Sequence, residues 1–222
     1  MKERPILFNG DMVRAVLAGQ KTQTRRPINP QPAFGCHYEI NGAHNAALHL
    51  SDADGTLRYV PPTGQSKDHM LHCPYGQPGD RLWVRETFAY AQDGTVVYRA
   101  SMVGSPWDAI TRRAITWHPS IHMPRWASRI TLEITDVYVE RVQDITNDEA
   151  VAEGAYEVRK VGDDIAHATW TMDGLDWRYD TPREAFVATW DSLYAADGLG
   201  WDVNPWVWVV TFKRAEEVCQ KN

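Results

Sequence analysis

The segment "PWVWVVTF" (205–212), near the end of the chain, is apolar at almost every position and not at every second one. Because side chains of a β-strand alternate between two faces, a strand with this pattern buries both faces. Such a strand requires other elements to cover the sheet on both sides. The chain is therefore expected to fold around a central strand at 205–212.

Shorter patterns predict further strands along the chain. Apolar runs or apolar–polar alternation mark residues 5–8, 82–86, 96–100 and 129–142. Short strands interrupted by capped helices are typical of an α+β fold with a mixed sheet or a small barrel.

Residues typical of helix ends mark the first of three predicted helices. Either Asn9 or Asp11 caps it, and its apolar stripe runs from Met12 to Leu17. Gly19 follows as a residue suited to end the helix, because glycine adopts the left-handed conformation found there.

Two capping-box patterns predict the other helices. Thr146 with Glu149 opens a short helix that Gly154 ends. Thr181 with Glu184, around a proline at the first helical position, opens a longer one.

The chain has 222 residues and ordinary apolar and charged fractions, so a single domain over residues 1–222 is expected.

One segment lacks the apolar periodicity that marks the predicted strands and helices. From about residue 30 to 76 the sequence lacks periodicity over a length greater than that of ordinary loops. We therefore predict a long irregular insertion there.

Composition limits the partners of the protein. The net charge of -6 argues against extensive binding to duplex DNA, which requires a broad basic face. No apolar segment approaches the roughly 20 residues that span a bilayer, and the N-terminus is too charged for a signal peptide. The three cysteines are too widely spaced for a disulfide framework. We expect a cytoplasmic protein that avoids membranes, with a nucleoside or short RNA as a possible partner.

The polar segment "GQKTQTRRP" (19–27) directly follows the first predicted helix. A lysine beside a threonine hydroxyl, here Lys21 and Thr24, acts as its base once burial or neighbouring guanidinium groups lower the pKa of the lysine. Arg25 and Arg26 supply those groups. The alternative interpretation is a basic loop that faces water.

Two glutamates are further candidates. Glu86 points the same way as the apolar residues of its strand, so its carboxylate needs a buried partner. Glu153 lies in the last turn of the predicted second helix, where the helix dipole disfavours an ionised carboxylate. That position suits a proton donor or shuttle. The alternative for Glu153 is an exposed residue at a frayed helix end.

The segment "HPSIHMPRWASR" (118–129) combines aromatic and cationic side chains. Arg125, Trp126 and Arg129 could hold a base by stacking and a phosphate by charge. The alternative is a loop whose tryptophan fills the core.

A metal site is conceivable within the predicted insertion. Cys36, His69, His72 and Cys73 carry suitable ligand atoms for zinc. However, no paired CxxC or HxxxH spacing is present, so we expect packed or solvated residues and no metal. No sequence motif for another cofactor appears, and none is expected.

At this point the motifs resemble those of a known family. "GQKTQTRR" resembles the G-x-K-T-x-T-x-R signature of the ASCH family, and "GDRLWVRE" and "DITNDEAVAEG" resemble its glycine–aspartate turn and short helix. "PSIHMPRWASRI" and "NPWVWVVTF" look like the longer phage and prophage members. The resemblance covers nearly the whole chain and is weakest across about 30–76 and 155–180, which are taken as insertions.

The resemblance implies a fold and an activity. The fold would be a PUA-like mixed β-barrel with flanking short helices. Small ASCH members include metal-independent amidohydrolases that remove the acetyl group of N4-acetylcytidine, and their lysine, threonine and glutamate match Lys21, Thr24 and Glu153. Other members are described as ribonucleases or RNA-binding modules, and both remain alternatives.

In the amidohydrolase interpretation Thr24 is the nucleophile, Lys21 its base and Glu153 the proton shuttle to the leaving amine. In the other assignment Glu153 or Glu86 activates a water and Thr24 only positions the substrate. Arg26 would steady the oxyanion or the sugar. The remaining candidates are assigned to substrate binding: Arg25, Glu86, Arg125, Trp126 and Arg129.

Overall fold

The computed structural model describes residues 1–31, 48–49, 56–59, 69–102, 115–158, 169–172 and 178–215. Its strands are β1 (Glu3–Leu7), β2 (Gln23–Pro27), β3 (Leu48–His49), β4 (Thr56–Tyr59), β5 (His69–His72), β6 (Arg81–Arg85), β7 (Phe88–Tyr90), β8 (Val96–Tyr98), β9 (Thr131–Arg141), β10 (Tyr156–Val158), β11 (Thr169–Thr171) and β12 (Trp206–Arg214). Its α-helices are α1 (Gly10–Leu17), α2 (Asn147–Ala152) and α3 (Pro182–Tyr194).

One mixed sheet organises these elements. Its strands follow the order β1-β6-β9-β12-β2, and β3 also pairs with β9. β1 and β6 are parallel, whereas the other pairs are antiparallel. The prediction of a central strand near the C-terminus is confirmed, because β12 lies between β9 and β2. The fold is α+β, and within the described part of the chain the sheet does not close into a barrel.

Both faces of β12 are buried, as its composition requires. Trp208 and Val210 belong to a core that includes Phe8 and residues of α1. Val207 and Val209 belong to a second core, which includes residues of α3. The tertiary fold therefore covers the sheet on each side.

Each of the three α-helices begins with a side chain that caps its N-terminus. The Asn9 side chain caps α1 by accepting from the Met12 N–H, and Gly19 follows with a φ of 74°. The Thr146–Glu149 capping box is complete. At α3 only half of the predicted box forms. The Thr181 side chain accepts from the backbone N–H of Glu184. The Glu184 carboxylate, however, accepts from the Asp180 N–H and not from that of Thr181.

Within the described ranges no helix has the length and apolarity to cross a bilayer.

Small hairpins occur where the sequence shows little periodicity. β4 and β5 pair within the segment predicted to be irregular, and β10 pairs with β11 inside the second predicted insertion. Strands of three or four residues are too short to carry a recognisable period in the sequence. The predicted strand at 96–100 is also shorter, because a 3₁₀ turn begins at Arg99.

Candidate active site

The polar segment 19–27 includes strand β2, whose side chains point alternately to the two faces of the sheet. Arg25 lies opposite Val209, which lies opposite Tyr138, so these three side chains point to the face covered by α2 and α3. Thr24 and Arg26 alternate with Arg25 and point to the other face, toward the core that contains Phe8. Lys21 precedes the strand.

Lys21 is buried, with its side-chain exposure at 0%. Its Nζ donates to the Gln23 carbonyl at 2.8 Å, to the Glu153 carbonyl at 2.7 Å and to Glu153 Oε2 at 2.8 Å. These three bonds use all the protons of an ammonium group. Burial lowers the pKa of Lys21, while the carboxylate of Glu153 opposes that shift. The prediction of a solvated basic loop is therefore wrong for this residue.

Glu153 is also buried, so the alternative of an exposed residue at a frayed helix end is wrong. It follows α2 as its C-terminal cap. Its two carboxylate oxygens contact different cations, because Oε2 accepts from Lys21 and Oε1 lies 3.3 Å from the Arg25 guanidinium. Glu153 thus joins the segment before β2 to the face covered by the helices.

Arg25 is shared by three carboxylates. Besides Glu153, it donates to Glu140 Oε1 at 2.6 Å and lies 3.3 Å from Glu149 Oε1. Lys21, Arg25 and these glutamates form what we call the buried charge cluster. With all five groups ionised it carries one more negative than positive charge, so one carboxylate is poorly compensated.

Glu140 is the carboxylate of this cluster whose pKa is raised. Burial raises its pKa to about 7, the Arg25 guanidinium opposes the rise, and the negative charges of Glu149 and Asp144 add to it. A group whose pKa is raised on folding contributes stability below its unfolded pKa. That contribution is lost as the pH rises through its folded pKa.

Glu140→Gln should therefore remove a pH dependence of stability. Between pH of about 4.5 and about 7 the wild-type free energy of unfolding is expected to fall, relative to this variant, by on the order of 3 kcal/mol. Arg25, Glu149 and Asp144 are present in both proteins, so the comparison isolates Glu140. Urea unfolding at pH 5 and pH 8 measures it, with Glu133→Gln on the same strand as control. Parallel pH curves for wild type and Glu140→Gln would refute this assignment.

Gly154 allows the turn after α2 to approach the cluster. Its φ is 113°, a region that side-chain-bearing residues rarely adopt, and an added Cβ would lie 3.3 Å from the Ala15 Cβ and 3.7 Å from the Lys21 side chain. The glycine predicted only as a helix end therefore also provides close packing against Lys21.

Gly154→Ala should cost about 1–3 kcal/mol of stability from backbone strain, and crowding of Ala15 should add to this. Gly19→Ala is the comparison variant, because its φ of 74° lies near the left-handed region and an added Cβ there meets nothing within 4 Å. Thermal and urea unfolding of both variants give the comparison. An equal loss in the two would contradict both the greater backbone strain at Gly154 and the crowding of Ala15.

Thr24 is buried, and its Oγ1 has no hydrogen-bond partner among the described residues. A buried hydroxyl without a partner is unfavourable, so such a group calls for an explanation, which is an ordered water, strain or a role in the site. No hydrogen bond joins Lys21 to the Thr24 hydroxyl, although Lys21 is the base in the predicted mechanism. The nucleophile assignment stays a prediction.

A cavity of about 560 Å³ adjoins the cluster through Phe8. The Phe8 ring lies 5.5 Å from Lys21 Nζ and 5.8 Å from the Arg26 guanidinium, so it links the two regions. We call this the Phe8 cavity. Its lining includes Phe8, Met12, Arg26, Tyr75, Arg85 and Tyr194.

Arg26 lies between the cavity and the first strand. It donates to the Tyr194 hydroxyl at 3.1 Å and to the Leu7 carbonyl at 2.9 Å. Both partners are neutral, so its positive charge is directed toward the cavity without a carboxylate in direct contact among the described residues.

The other predicted binding residues lie in separate contacts. Glu86 is buried and accepts two hydrogen bonds from Arg129, at 2.8 and 2.9 Å, so the expectation of a buried partner is confirmed. Arg125 pairs with Glu3 near the surface. Trp126 is 69% exposed, so the interpretation that it fills the core is wrong. No described contact joins this group to Lys21, and its substrate-binding role stays a prediction.

The conceivable zinc ligands are only partly described. Cys36 and the side chain of His69 lie outside the described residues. Cys73 is buried as a free thiol, and burial raises its pKa to about 11. Among the described residues no group of three potential ligands could hold a metal ion.

Several residues of the site were not predicted from the sequence. Glu140 and Glu149 complete the buried charge cluster, and Tyr75 and Tyr194 form part of the cavity wall. The sequence does contain an indication that Glu140 is buried. It directly follows the apolar residues 137–139 and lies two positions after Tyr138 on the same strand. A glutamate continuing such a strand is a candidate for burial.

The chain matches no family model, no curated protein and no solved structure at a significant level. Its resemblance to the ASCH family therefore stays a prediction.

Proposed function

We propose that the protein is an ASCH-type hydrolase that removes an acyl group from the amino nitrogen of a modified nucleoside such as N4-acetylcytidine. The observation that carries the proposal is the buried 2.8 Å contact between Lys21 Nζ and Glu153 Oε2. Thr24, in the same segment, adds a buried hydroxyl without a partner among the described residues. Amide hydrolysis needs a nucleophile, a base and an acid, and these three residues offer them.

The proposed reaction begins with proton transfer from the Lys21 ammonium to Glu153, which the lowered pKa of Lys21 favours. The neutral amine accepts the Thr24 proton as Oγ1 attacks the acyl carbon. Glu153 then protonates the leaving nitrogen, the C–N bond breaks, and the acyl group remains on Thr24 as an ester. Water hydrolyses this ester, which restores the hydroxyl and releases the carboxylic acid.

The Phe8 cavity is the proposed substrate pocket. Its volume lies within the range of about 300–1,000 Å³ common for small-molecule sites. The rings of Phe8, Tyr75 and Tyr194 suit a planar base, because aromatic faces stack on one another. Arg26 would bind the sugar or the developing oxyanion from the same cavity.

The proposed fold is a PUA-like barrel to which the mixed sheet belongs. β1 and β2 are the two ends of the sheet order, so closure would bring them together. In support, Arg26 of β2 donates to the Leu7 carbonyl of β1.

An RNA-binding or RNA-cleaving protein is the second candidate. Trp126 is exposed and stacks on Tyr90, with ring centroids 6.2 Å apart and an interplanar angle of 25°. Exposed aromatic side chains of this kind stack on unpaired bases. Salt dependence distinguishes the candidates, since contacts with a long RNA weaken steeply with salt and a nucleoside pocket responds little.

The proposed function is tested by incubating the protein with N4-acetylcytidine and other acylated nucleosides and measuring deacylation by mass. We expect release of the free amine. Absence of turnover on the whole panel from a folded protein would refute the hydrolase and favour the RNA candidate.

Thr24→Val separates the two mechanisms, because it keeps the shape of the side chain and removes the hydroxyl. If Thr24 is the nucleophile, turnover is lost and the wild-type protein carries an acyl adduct during rapid-quench mass spectrometry. A Thr24→Val variant within tenfold of wild type would instead assign attack to a water activated by glutamate.

A further inference from the structure

The charge of the Phe8 cavity is unusual for this protein. The chain carries a net charge of -6, yet the described residues that line the cavity include two arginines, Arg26 and Arg85, and no carboxylate. Two arginines in a cavity lining without a carboxylate give a positive potential that attracts anions, although the Glu153 carboxylate acts on Arg26 from a distance.

Arg85 is one of the residues that line the Phe8 cavity. It lies opposite Leu7 in the parallel pair of β1 and β6, and its carbonyl accepts from the Phe8 N–H at 3.1 Å. The backbone of Arg85 is therefore hydrogen-bonded to that of Phe8, the residue that links the cavity to Lys21.

The Arg85 side chain is held in place but not neutralised. Its guanidinium lies 5.4 Å from the Trp83 ring, and one terminal nitrogen donates to the Ile121 carbonyl. Its Nε is buried and has no partner among the described residues. No carboxylate in the described part of the chain forms an ion pair with it. A fixed guanidinium that has no carboxylate partner among the described residues is suited to a phosphate oxygen.

Neutral donors complete the same wall. Thr87, Ser120 and Asn9, three residues with neutral polar side chains, also line the cavity. Such groups contribute hydrogen bonds to phosphate oxygens without adding repulsive charge.

We propose that the Phe8 cavity contains a phosphate subsite at Arg85, so that its ligand is a nucleotide rather than a free nucleoside. This inference rests on the proposed function for the identity of the reaction, but the subsite itself is a binding property. The aromatic walls hold the base, and Arg85 binds the phosphate ester. We assign the ester to a mononucleotide, and an RNA phosphodiester is the other source of the same chemistry.

The first test is calorimetric binding of cytidine and cytidine 5′-monophosphate. One charge-assisted contact should make the wild-type protein bind the monophosphate about tenfold to 100-fold more tightly. Arg85→Gln should remove this preference, whereas Arg85→Lys should retain part of it. Equal affinity for both ligands, no binding of either by the folded protein, or an unchanged preference in Arg85→Gln would overturn the proposal.

Arg141→Gln is the matched control. Arg141 also lies over a tryptophan ring, that of Trp206, at 4.3 Å, but does not line the cavity. This variant should keep the preference for the monophosphate. If Arg141→Gln loses it as fully as Arg85→Gln, the preference reflects surface charge and the subsite is refuted.

Two further arms separate the possible outcomes. A five-nucleotide RNA that binds more tightly than the monophosphate, and depends on Arg85, would assign the subsite to a phosphodiester and overturn the mononucleotide assignment. Deacylation of N4-acetylcytidine and of its 5′-monophosphate tests the link to catalysis. Binding preference without any turnover would refute the proposed function alone, and turnover without preference would refute the subsite alone.

Discussion

Lys21→Met is expected to lower the rate of nucleoside deacylation by about 100-fold to 10,000-fold, the range for loss of a general base. Methionine fills a similar volume but offers no proton acceptor and no ammonium. Glu153 would keep its contact with Arg25, at 3.3 Å, so its carboxylate is not left without a cation. Steady-state kinetics on N4-acetylcytidine, with thermal unfolding to verify the fold, measure the effect.

Two variants sharpen this prediction. Lys21→Arg keeps the positive charge but cannot release a proton, so it should be as inactive as Lys21→Met if the lysine is a base. Lys213→Met removes the lysine of a surface pair with Glu133 and should leave the rate unchanged. A folded Lys21→Met protein within tenfold of the wild-type rate would exclude Lys21 as the base.

Arg25→Met is expected to cause the largest loss of stability, about 3–5 kcal/mol near pH 8. The guanidinium is fully buried and faces Glu140, Glu149 and Glu153, which would lose their shared cation. Below about pH 5 the loss should be smaller, because Glu140, whose pKa is raised to about 7, is then neutral and needs no cation. Urea unfolding of wild type and variant at both pH values measures the difference.

The matched control is Arg125→Met, which removes an arginine from an exposed pair with Glu3. Exposed pairs contribute about 0–1 kcal/mol, so this change should be small. The double variant Arg25→Met with Glu140→Gln should lose less stability than the sum of its single variants, because the second change removes one uncompensated charge. A loss below 1 kcal/mol at pH 8 for Arg25→Met would contradict the shared-cation description.

The sequence by itself determined the local elements and their ends. The continuous apolar run at 205–212 identified the central strand, because only a sheet covered on both sides buries such a strand. The caps at Asn9 and Thr146 were predictable, since the bonds that form them span three residues. Burial of Glu86 was also predictable from strand alternation. The identity of its partner, Arg129, was not.

The tertiary structure alone decided how the charges combine. Arg25 meets Glu140 across 115 positions and Lys21 meets Glu153 across 132, so no local pattern contains either pair. The face to which each side chain points depends on pairing of β2 with β12. Alternation along β2 predicts that the side chains of Thr24 and Arg25 point to opposite faces of the sheet. It does not predict which of the two faces α2 covers. Sheet order sets that outcome, because it determines which elements cover each face.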